Sequence, residues 1–360
     1  MNYPGFYPDL FRVTLPETAL EVAALLVLVI DLGFLRKAAL KVRVAVAALI
    51  GIAGCGAALW ALQCTARSGL SFDGDVLLAQ GGYTQVAQTG ILALTILTLL
   101  LFIGSAFTRH AGEYVSVVLM AAAGGLIVSS AQDLLVIFIG LELLSLGLYI
   151  LTAFAKSSGK SAEAAMKYYL FGGMSAAFLL FGFSYLYGIS GSTNLNKILL
   201  ASFYSSASGG APLLYVALVL IAAGLGFKVA AVPFHLWAPD TYEGAPAPAA
   251  AFIASVSKVA SFALLISIST AAVHLFDGVH ELRFVAFTLG PPPKYLGLWI
   301  PWSLILTVLS AASMVVGNLA ALAQISVRRL LAYSAASCLS SASVTIFIIV
   351  LYFITPIFLF

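Results

Sequence analysis

The fold is decided by the sequence LGFKVAAVPFHLWAPD at residues 225–240. It begins as an apolar helix that contains Lys228 and then meets the first of two prolines, Pro233. Proline lacks an N–H and its ring clashes with the carbonyl four residues earlier, so the helix is expected to break just after Lys228. A break inside a membrane is tolerated only where protein or a water-filled cavity satisfies the freed backbone groups. The stretch therefore predicts a discontinuous transmembrane helix and a hydrated lysine.

The composition excludes an ordinary soluble domain. Of 360 residues, 62% are hydrophobic and only 9% are charged, against about 25% charged in soluble proteins. We expect an all-α, polytopic transmembrane bundle of about ten spans, each an apolar run of ~20 residues. The predicted spans are 15–35, 42–64, 84–107, 113–130, 132–154, 162–189, 211–233, 246–275, 299–323 and 328–358.

Two further ionisable residues lie inside predicted spans. Glu142 and Lys258 are each about ten residues into a span, which places them near the membrane midplane at 1.5 Å per residue. A charge there costs from about 3 to more than 10 kcal/mol, so such residues usually face a bundle interior and carry ions or protons. Glu142 and Lys228 form an obvious pair: proximity keeps both charged, and separation in a low dielectric favours the neutral forms. The alternative is a static ion pair that fixes helix packing.

Other chemistry finds no support in the sequence. The net charge of +3 is spread between hydrophobic segments, so no nucleic-acid partner is expected. Three cysteines in unrelated stretches give neither metal spacing nor a disulfide framework. No phosphate-binding glycine loop occurs, and His280-Glu281 does not continue as a zinc-binding HExxH motif. We expect no metal and no bound cofactor.

Several motifs carry a resemblance to a known family. They are FIGLELLSLG at 138–147, SAEAAMKYYL at 161–170, the stretch 225–242, GAPAP at 244–248 and VRRLLAYS at 327–334. Together they resemble the antiporter-like membrane subunits of respiratory complex I, above all the subunit N (ND2) type of NADH:quinone oxidoreductase. The resemblance implies an antiporter-like fold built from inverted five-helix repeats, here incomplete, with a discontinuous seventh helix.

The resemblance also implies a function. The chain would translocate protons, driven by quinone reduction elsewhere in the complex, with Glu142 and Lys228 as the coupling pair, Lys258 as the onward relay and Lys167 near the pair. It would carry no redox cofactor itself; FMN, iron–sulfur clusters, NADH and quinone would be bound by partner subunits. Its partners would be the other antiporter-like and small membrane-arm subunits and membrane lipids, in a bacterial inner membrane or an organellar inner membrane.

Two candidate residues have alternative interpretations. Lys167 also fits a basic residue at the cytoplasmic start of a helix, where lysine and arginine accumulate. His235 suits proton transfer because its unperturbed pKa is ~6.5, but it could equally hydrogen-bond the carbonyls that Pro233 frees.

The organisation predicted from the resemblance has three parts. These are an N-terminal three-helix region (1–112), a first five-helix repeat (113–276) and a partial second repeat (277–360). A second broken helix, which family members use for the exit half-channel, is not found. We consider a truncated product, a second half supplied by another chain, and a degenerate structural paralogue. One rival function is a subunit of a multi-subunit cation/proton antiporter, which shares the ancestry and the same glutamate and lysine. The other is a non-pumping structural subunit, which the missing exit half predicts.

Overall fold

The computed structural model describes residues 11–68, 77–78, 82–105, 107–198, 201, 211–289 and 299–337. These residues form helices and the turns between them, with no strand and one isolated bridge between Leu78 and Ala131. The helices are α1 (Leu15–Val29), α2 (Leu40–Ser68), α3 (Gly82–Ile103), α4 (Ala111–Ser130), α5 (Leu134–Thr152), α6 (Gly159–Ser190), α7 (Ala211–Val229), α8 (Trp237–Gly244), α9 (Ala247–Leu289), α10 (Trp299–Leu322) and α11 (Val327–Ser337). The all-α prediction is confirmed.

The helices have the lengths that a membrane requires. Within the described ranges, 8 helices are long and apolar enough to cross a bilayer, namely α2 to α7, α9 and α10. The predicted first span corresponds to α1, which a π-helical turn at Ile30–Phe34 continues. The predicted last span, 328–358, begins with α11 and lies mostly outside the described residues. The chain is a multi-pass integral membrane protein.

The described residues fall into two compact units. The first contains the chain up to Leu170 together with Asp240–Leu264, and the second contains Phe171–Pro239 together with the residues from Leu265 onward. These units are groups of residues that pack together, whereas the predicted boundaries at 112/113 and 276/277 separate sequence repeats. The repeat boundaries stay a prediction.

In the first unit, α4 and α5 form a tight helical hairpin. The Asp133 carboxylate caps α5 by accepting hydrogen bonds from the N–H groups of Leu135 (2.9 Å) and Val136 (3.4 Å), which satisfies donors that a helix start leaves free. Glycine lets the two backbones approach closely, since a Cβ at Gly124 would lie 2.6 Å from the Leu144 nitrogen. The separation of the predicted spans 113–130 and 132–154 is confirmed.

An ion pair at the end of α1 fastens the first helices to α4. Asp31 is 1% exposed and accepts from Nε and Nη2 of Arg43 on α2 at 2.7 and 2.6 Å. The same carboxylate accepts from the N–H of Gly112, in the first turn of α4, at 3.1 Å. One buried carboxylate therefore joins three segments of the first unit.

In the second unit, the predicted break after Lys228 is confirmed. Helix α7 ends at Val229, because Ala230 adopts a left-handed φ of 59°, a region in which any side chain other than hydrogen is strained. The Trp237 indole N–H donates to the Phe227 carbonyl at 3.0 Å. The Val232 N–H donates to Ser313 Oγ on α10 at 2.9 Å. Protein groups thus replace hydrogen bonds that the interrupted helix lacks, as irregular backbone at membrane depth requires.

Candidate functional site

Glu142 lies eight residues after the start of α5, which corresponds to a rise of about 12 Å along the helix. Its Oε1 atom is shielded from solvent. Residues three and seven positions further along share its helical face, and these are Ser145 and Tyr149, both buried. The Ser145 hydroxyl donates to the Leu141 carbonyl at 2.6 Å. The carboxylate thus lies on a polar, buried face of α5 in the first unit.

Lys258 belongs to the first unit as well, on α9. Its side chain is buried, with the residue 7% exposed, and it lies 11 residues after Ala247, a rise of about 17 Å. Two residues further along α9, Ala260 packs toward α4, since a Cβ at Gly125 would lie 3.6 Å from the Ala260 Cβ. The structure therefore places Glu142 and Lys258 in one compact unit, each in the interior part of a membrane-spanning helix.

Lys228 and His235 belong to the second unit, on either side of the break. Each residue is 8% exposed. The Nδ1 atom of His235 is buried, and its ring lies 5.8 Å from that of Tyr333 on α11. The break itself is held by Trp237 and Ser313, as described above. The predicted pairing of Lys228 with Glu142 stays a prediction.

Lys167, on α6 in the first unit, forms an ion-pair cluster. Its ammonium lies 2.8 Å from Oε1 of Glu163, one turn earlier on the same helix, and 2.8 Å from Oδ2 of Asp240, on α8. The side chains of Lys167, Glu163 and Asp240 are 42%, 66% and 31% exposed. One ammonium is thus shared between a carboxylate of its own helix and a carboxylate that follows the helix break.

Asp240 is held in place by a close approach of backbones. Four residues after it, a Cβ at Gly244 would lie 2.5 Å from the Cβ of Ala164 and 2.7 Å from the carbonyl oxygen of Lys160. Any larger residue at position 244 would therefore force α8 away from α6. The segment 240–244 is fixed to α6 at two points one helical turn apart.

A tyrosine cluster connects the face of Glu142 with α6. The Tyr149 ring contacts the rings of Tyr168 and Tyr169 edge to face, with centroids 4.8 and 5.8 Å apart. Tyr149 and Tyr168 are both buried. The cluster therefore joins α5, on the face of Glu142, to α6, where Tyr168 directly follows Lys167 in the sequence.

Sequence reasoning named Lys167 but missed its two carboxylate partners and the tyrosine cluster. Glu163 was detectable, since a glutamate four residues before a lysine is a favourable helical pair. Asp240 gave a weaker signal, an acidic residue in the first turn of the helix after the break, where the helix dipole favours negative charge. Within the described ranges, no three His, Cys, Asp or Glu side chains come together to hold a metal ion.

Known proteins resemble this chain over most of its length. Its sequence is 48% identical over 344 residues to NADH-quinone oxidoreductase subunit N 2 of Acidobacterium capsulatum, covering 92% of this chain and 65% of that protein. It is 40% identical over 331 residues to NAD(P)H-quinone oxidoreductase subunit 2 of Thermosynechococcus vestitus, covering 89% of this chain and 56% of that protein. The chain thus spans less than two thirds of the length of these relatives.

Solved structures give the same result for the fold. Respiratory complex I from Thermus thermophilus with bound aureothin contains a chain that matches with a TM-score of 0.68 and 31% identity, over 92% of this chain and 64% of that one. A chain of the Mrp complex from Dietzia sp. matches with a TM-score of 0.65 over 92% of this chain and 58% of that one, at 21% identity, and supports the fold alone.

The family model described as NADH:quinone oxidoreductase/Mrp antiporter, TM, matches residues 131–287 and 294–355. These ranges contain Glu142, both buried lysines and the broken helix. The resemblance inferred from the sequence motifs is therefore confirmed, and the chain belongs to the NADH:quinone oxidoreductase/Mrp antiporter transmembrane family.

Proposed function

We propose that this chain is a proton-translocating, antiporter-like membrane subunit of an NADH:quinone oxidoreductase. The observation that carries the proposal is the burial of two lysines, Lys228 and Lys258, at 8% and 7% exposure in membrane-spanning helices. Ionisable residues at membrane depth are costly, usually face a bundle interior and mark ion pathways and proton relays.

In the proposed mechanism, Glu142 controls the proton affinity of Lys228. When quinone reduction in a partner subunit draws the two apart, Lys228 loses a stabilising negative charge and passes its proton toward Lys258. Moving one charge against the membrane potential costs about 2.3 kcal/mol per 100 mV. A change of a few units in proton affinity, at about 1.4 kcal/mol each, is large enough to drive that step.

Two further residues are assigned accessory roles beside Glu142, Lys228 and Lys258. Lys167 and His235 are proposed as accessory proton-carrying residues. The redox cofactors, NADH and quinone would be bound by partner subunits, and the neighbours would be other membrane-arm subunits and lipids of a bacterial inner membrane. The quinone oxidoreductase names of the relatives favour this assignment over a free-standing cation/proton antiporter.

The test uses inverted membrane vesicles that carry the assembled complex with Glu142→Gln, Lys228→Met or Lys258→Met. Quinone reduction and dye-reported acidification are measured per assembled complex. We expect each variant to lose proton pumping. Lys156→Met is the matched control, since it removes the same charge from an exposed position between α5 and α6, and it should pump normally.

Three outcomes would contradict the proposal. Undiminished pumping in both the Glu142→Gln and the Lys228→Met complexes would remove its basis. Full pumping after Lys258→Met would favour a structural subunit. Sodium-dependent proton movement without any quinone reductase would favour the antiporter.

A further inference from the structure

Lys167 has two carboxylate partners, one on its own helix and one on the helix after the break. Glu163 lies four residues before Lys167 on α6, so the two residues move together whatever the rest of the molecule does. Asp240 lies 73 residues further along the chain, in the helix that follows the break. Hydrogen bonds of this kind are lost beyond about 3.5 Å, and the present distance is 2.8 Å. A movement of α8 away from α6 that exceeds the reach of the lysine side chain therefore separates Lys167 from Asp240 but leaves its pair with Glu163 intact.

The place of Asp240 in the chain strengthens this distinction. Asp240 is the first residue of the second segment of the first unit, and Lys167 lies three residues before the first segment ends at Leu170. The ion pair thus joins the two segments of that unit close to the points where the chain leaves it. The contact of Gly244 with Lys160 and Ala164 fixes the same segment one turn later.

We propose that Asp240 is a positioning residue for proton translocation: it holds the Lys167 ammonium against α8 and thereby couples Lys167 to the position of the segment that follows the break. When the broken helix shifts during turnover, Asp240 moves with α8, and Lys167 keeps only the exposed Glu163 as its partner. With one of its two negative partners removed, the Lys167 ammonium is less stabilised and gives up its proton more readily. The inference rests on the proposed function, since it assigns a role within the same proton path.

The test compares isosteric variants in the assembled complex in membrane vesicles. Asp240→Asn removes the charge of the partner on α8, and Glu163→Gln removes the charge of the partner on α6. We expect Asp240→Asn to lower the number of protons pumped per quinone reduced at least threefold in a complex that assembles normally, and Glu163→Gln to lower it far less. A purely structural role would instead lower the amount of complex and leave this ratio unchanged.

Two further variants test the mechanism itself. Gly244→Ala changes no charge but displaces α8 from α6, so it should reproduce the Asp240→Asn defect. The double variant Lys167→Met/Asp240→Asn should be no worse than Lys167→Met alone, because both changes disrupt one interaction. Asp240→Glu restores the carboxylate with a longer side chain and should recover part of the ratio.

The outcomes separate this inference from the proposed function. If Asp240→Asn pumps at the normal ratio while Glu142→Gln does not pump, the positioning role is overturned and the proposed function stands. If Asp240→Asn, Glu142→Gln and Lys228→Met all pump normally, both the inference and the proposed function are overturned. Multiplying defects in the double variant would also overturn the inference. Should the Asp240→Asn complex fail to accumulate, Gly244→Ala takes its place, and a normal ratio in that variant would overturn the inference.

Discussion

Two ion pairs of the first unit, Asp31–Arg43 and Lys167–Asp240, differ in how they are built. Asp31 is 1% exposed and accepts two hydrogen bonds from one guanidinium and a third from the Gly112 N–H. Lys167 is 42% exposed on its side chain and divides a single ammonium between two carboxylates, each at 2.8 Å.

The first pair holds one fixed geometry, whereas the second can lose one of its contacts. Asp31 has every contact supplied by groups that hold one geometry, and a bidentate guanidinium–carboxylate pair is both strong and directional. Lys167 can lose one carboxylate and keep the other, and water reaches its side chain. We infer that the first pair fastens helices and that the second can take part in a cycle.

The largest expected effect comes from breaking the buried pair. Arg43→Met leaves the Asp31 carboxylate buried without its guanidinium, which costs on the order of 3 kcal/mol. We expect less subunit in the assembled complex and inactivation at a lower temperature. The complex that does assemble should pump the normal number of protons per quinone.

Two comparisons control that experiment. Arg36→Met removes the same group from an exposed position and should leave thermal stability unchanged. Asp31→Asn combined with Arg43→Met should recover part of the loss, since no unpaired charge remains buried. An equal or greater loss in the double variant would contradict the assignment of the pair as a buried anchor.

The next largest effect is expected at two crowded glycines, Gly124 between α4 and α5 and Gly244 between α8 and α6. A Cβ at Gly124 would lie 2.6 Å from the Leu144 nitrogen, between α4 and α5, and forcing extra volume into such packing costs about 1–3 kcal/mol. Gly124→Ala should therefore lower the thermal stability of the complex and leave the proton-to-quinone ratio unchanged. Gly173→Ala is the control, because nothing lies within 4 Å of a Cβ there.

Gly244→Ala is similarly crowded, with a Cβ 2.5 Å from that of Ala164, so it should also lower stability, but it should in addition lower the proton-to-quinone ratio. An unchanged ratio in both variants would show that packing alone decides both regions.

The positions of the helices can be predicted from the sequence better than the side-chain contacts between them. The predicted fifth span, 132–154, agrees with α5 to within two residues, because apolar length and the capping carboxylate of Asp133 are local signals. The predicted seventh span, 211–233, contains the expected break just after Lys228, since α7 ends at Val229 and Ala230 turns left-handed. The Lys167–Asp240 pair was not predicted, because no periodicity relates residues 73 positions apart.

A smaller effect is expected from exchanging lysine and arginine in the two pairs. Lys167→Arg keeps the positive charge and can still bind Asp240, but a guanidinium does not give up its proton. The complex should assemble fully and pump fewer protons per quinone. Arg43→Lys should do the reverse, with the ratio kept and stability lowered, because an ammonium cannot form the bidentate contact. Normal pumping by Lys167→Arg would show that only the charge of Lys167 is needed.

The smallest effect is expected at His235, which separates its two interpretations. Its Nδ1 is buried, its ring lies 5.8 Å from that of Tyr333, and the Trp237 indole already donates to a carbonyl beside the break. His235→Gln keeps a polar group but cannot titrate, and His235→Phe keeps the aromatic contact but removes every nitrogen. An accessory proton carrier predicts the same small drop in pumping rate for both variants. A loss confined to His235→Phe would assign the residue to hydrogen bonding, and a loss confined to His235→Gln would assign it to packing against Tyr333.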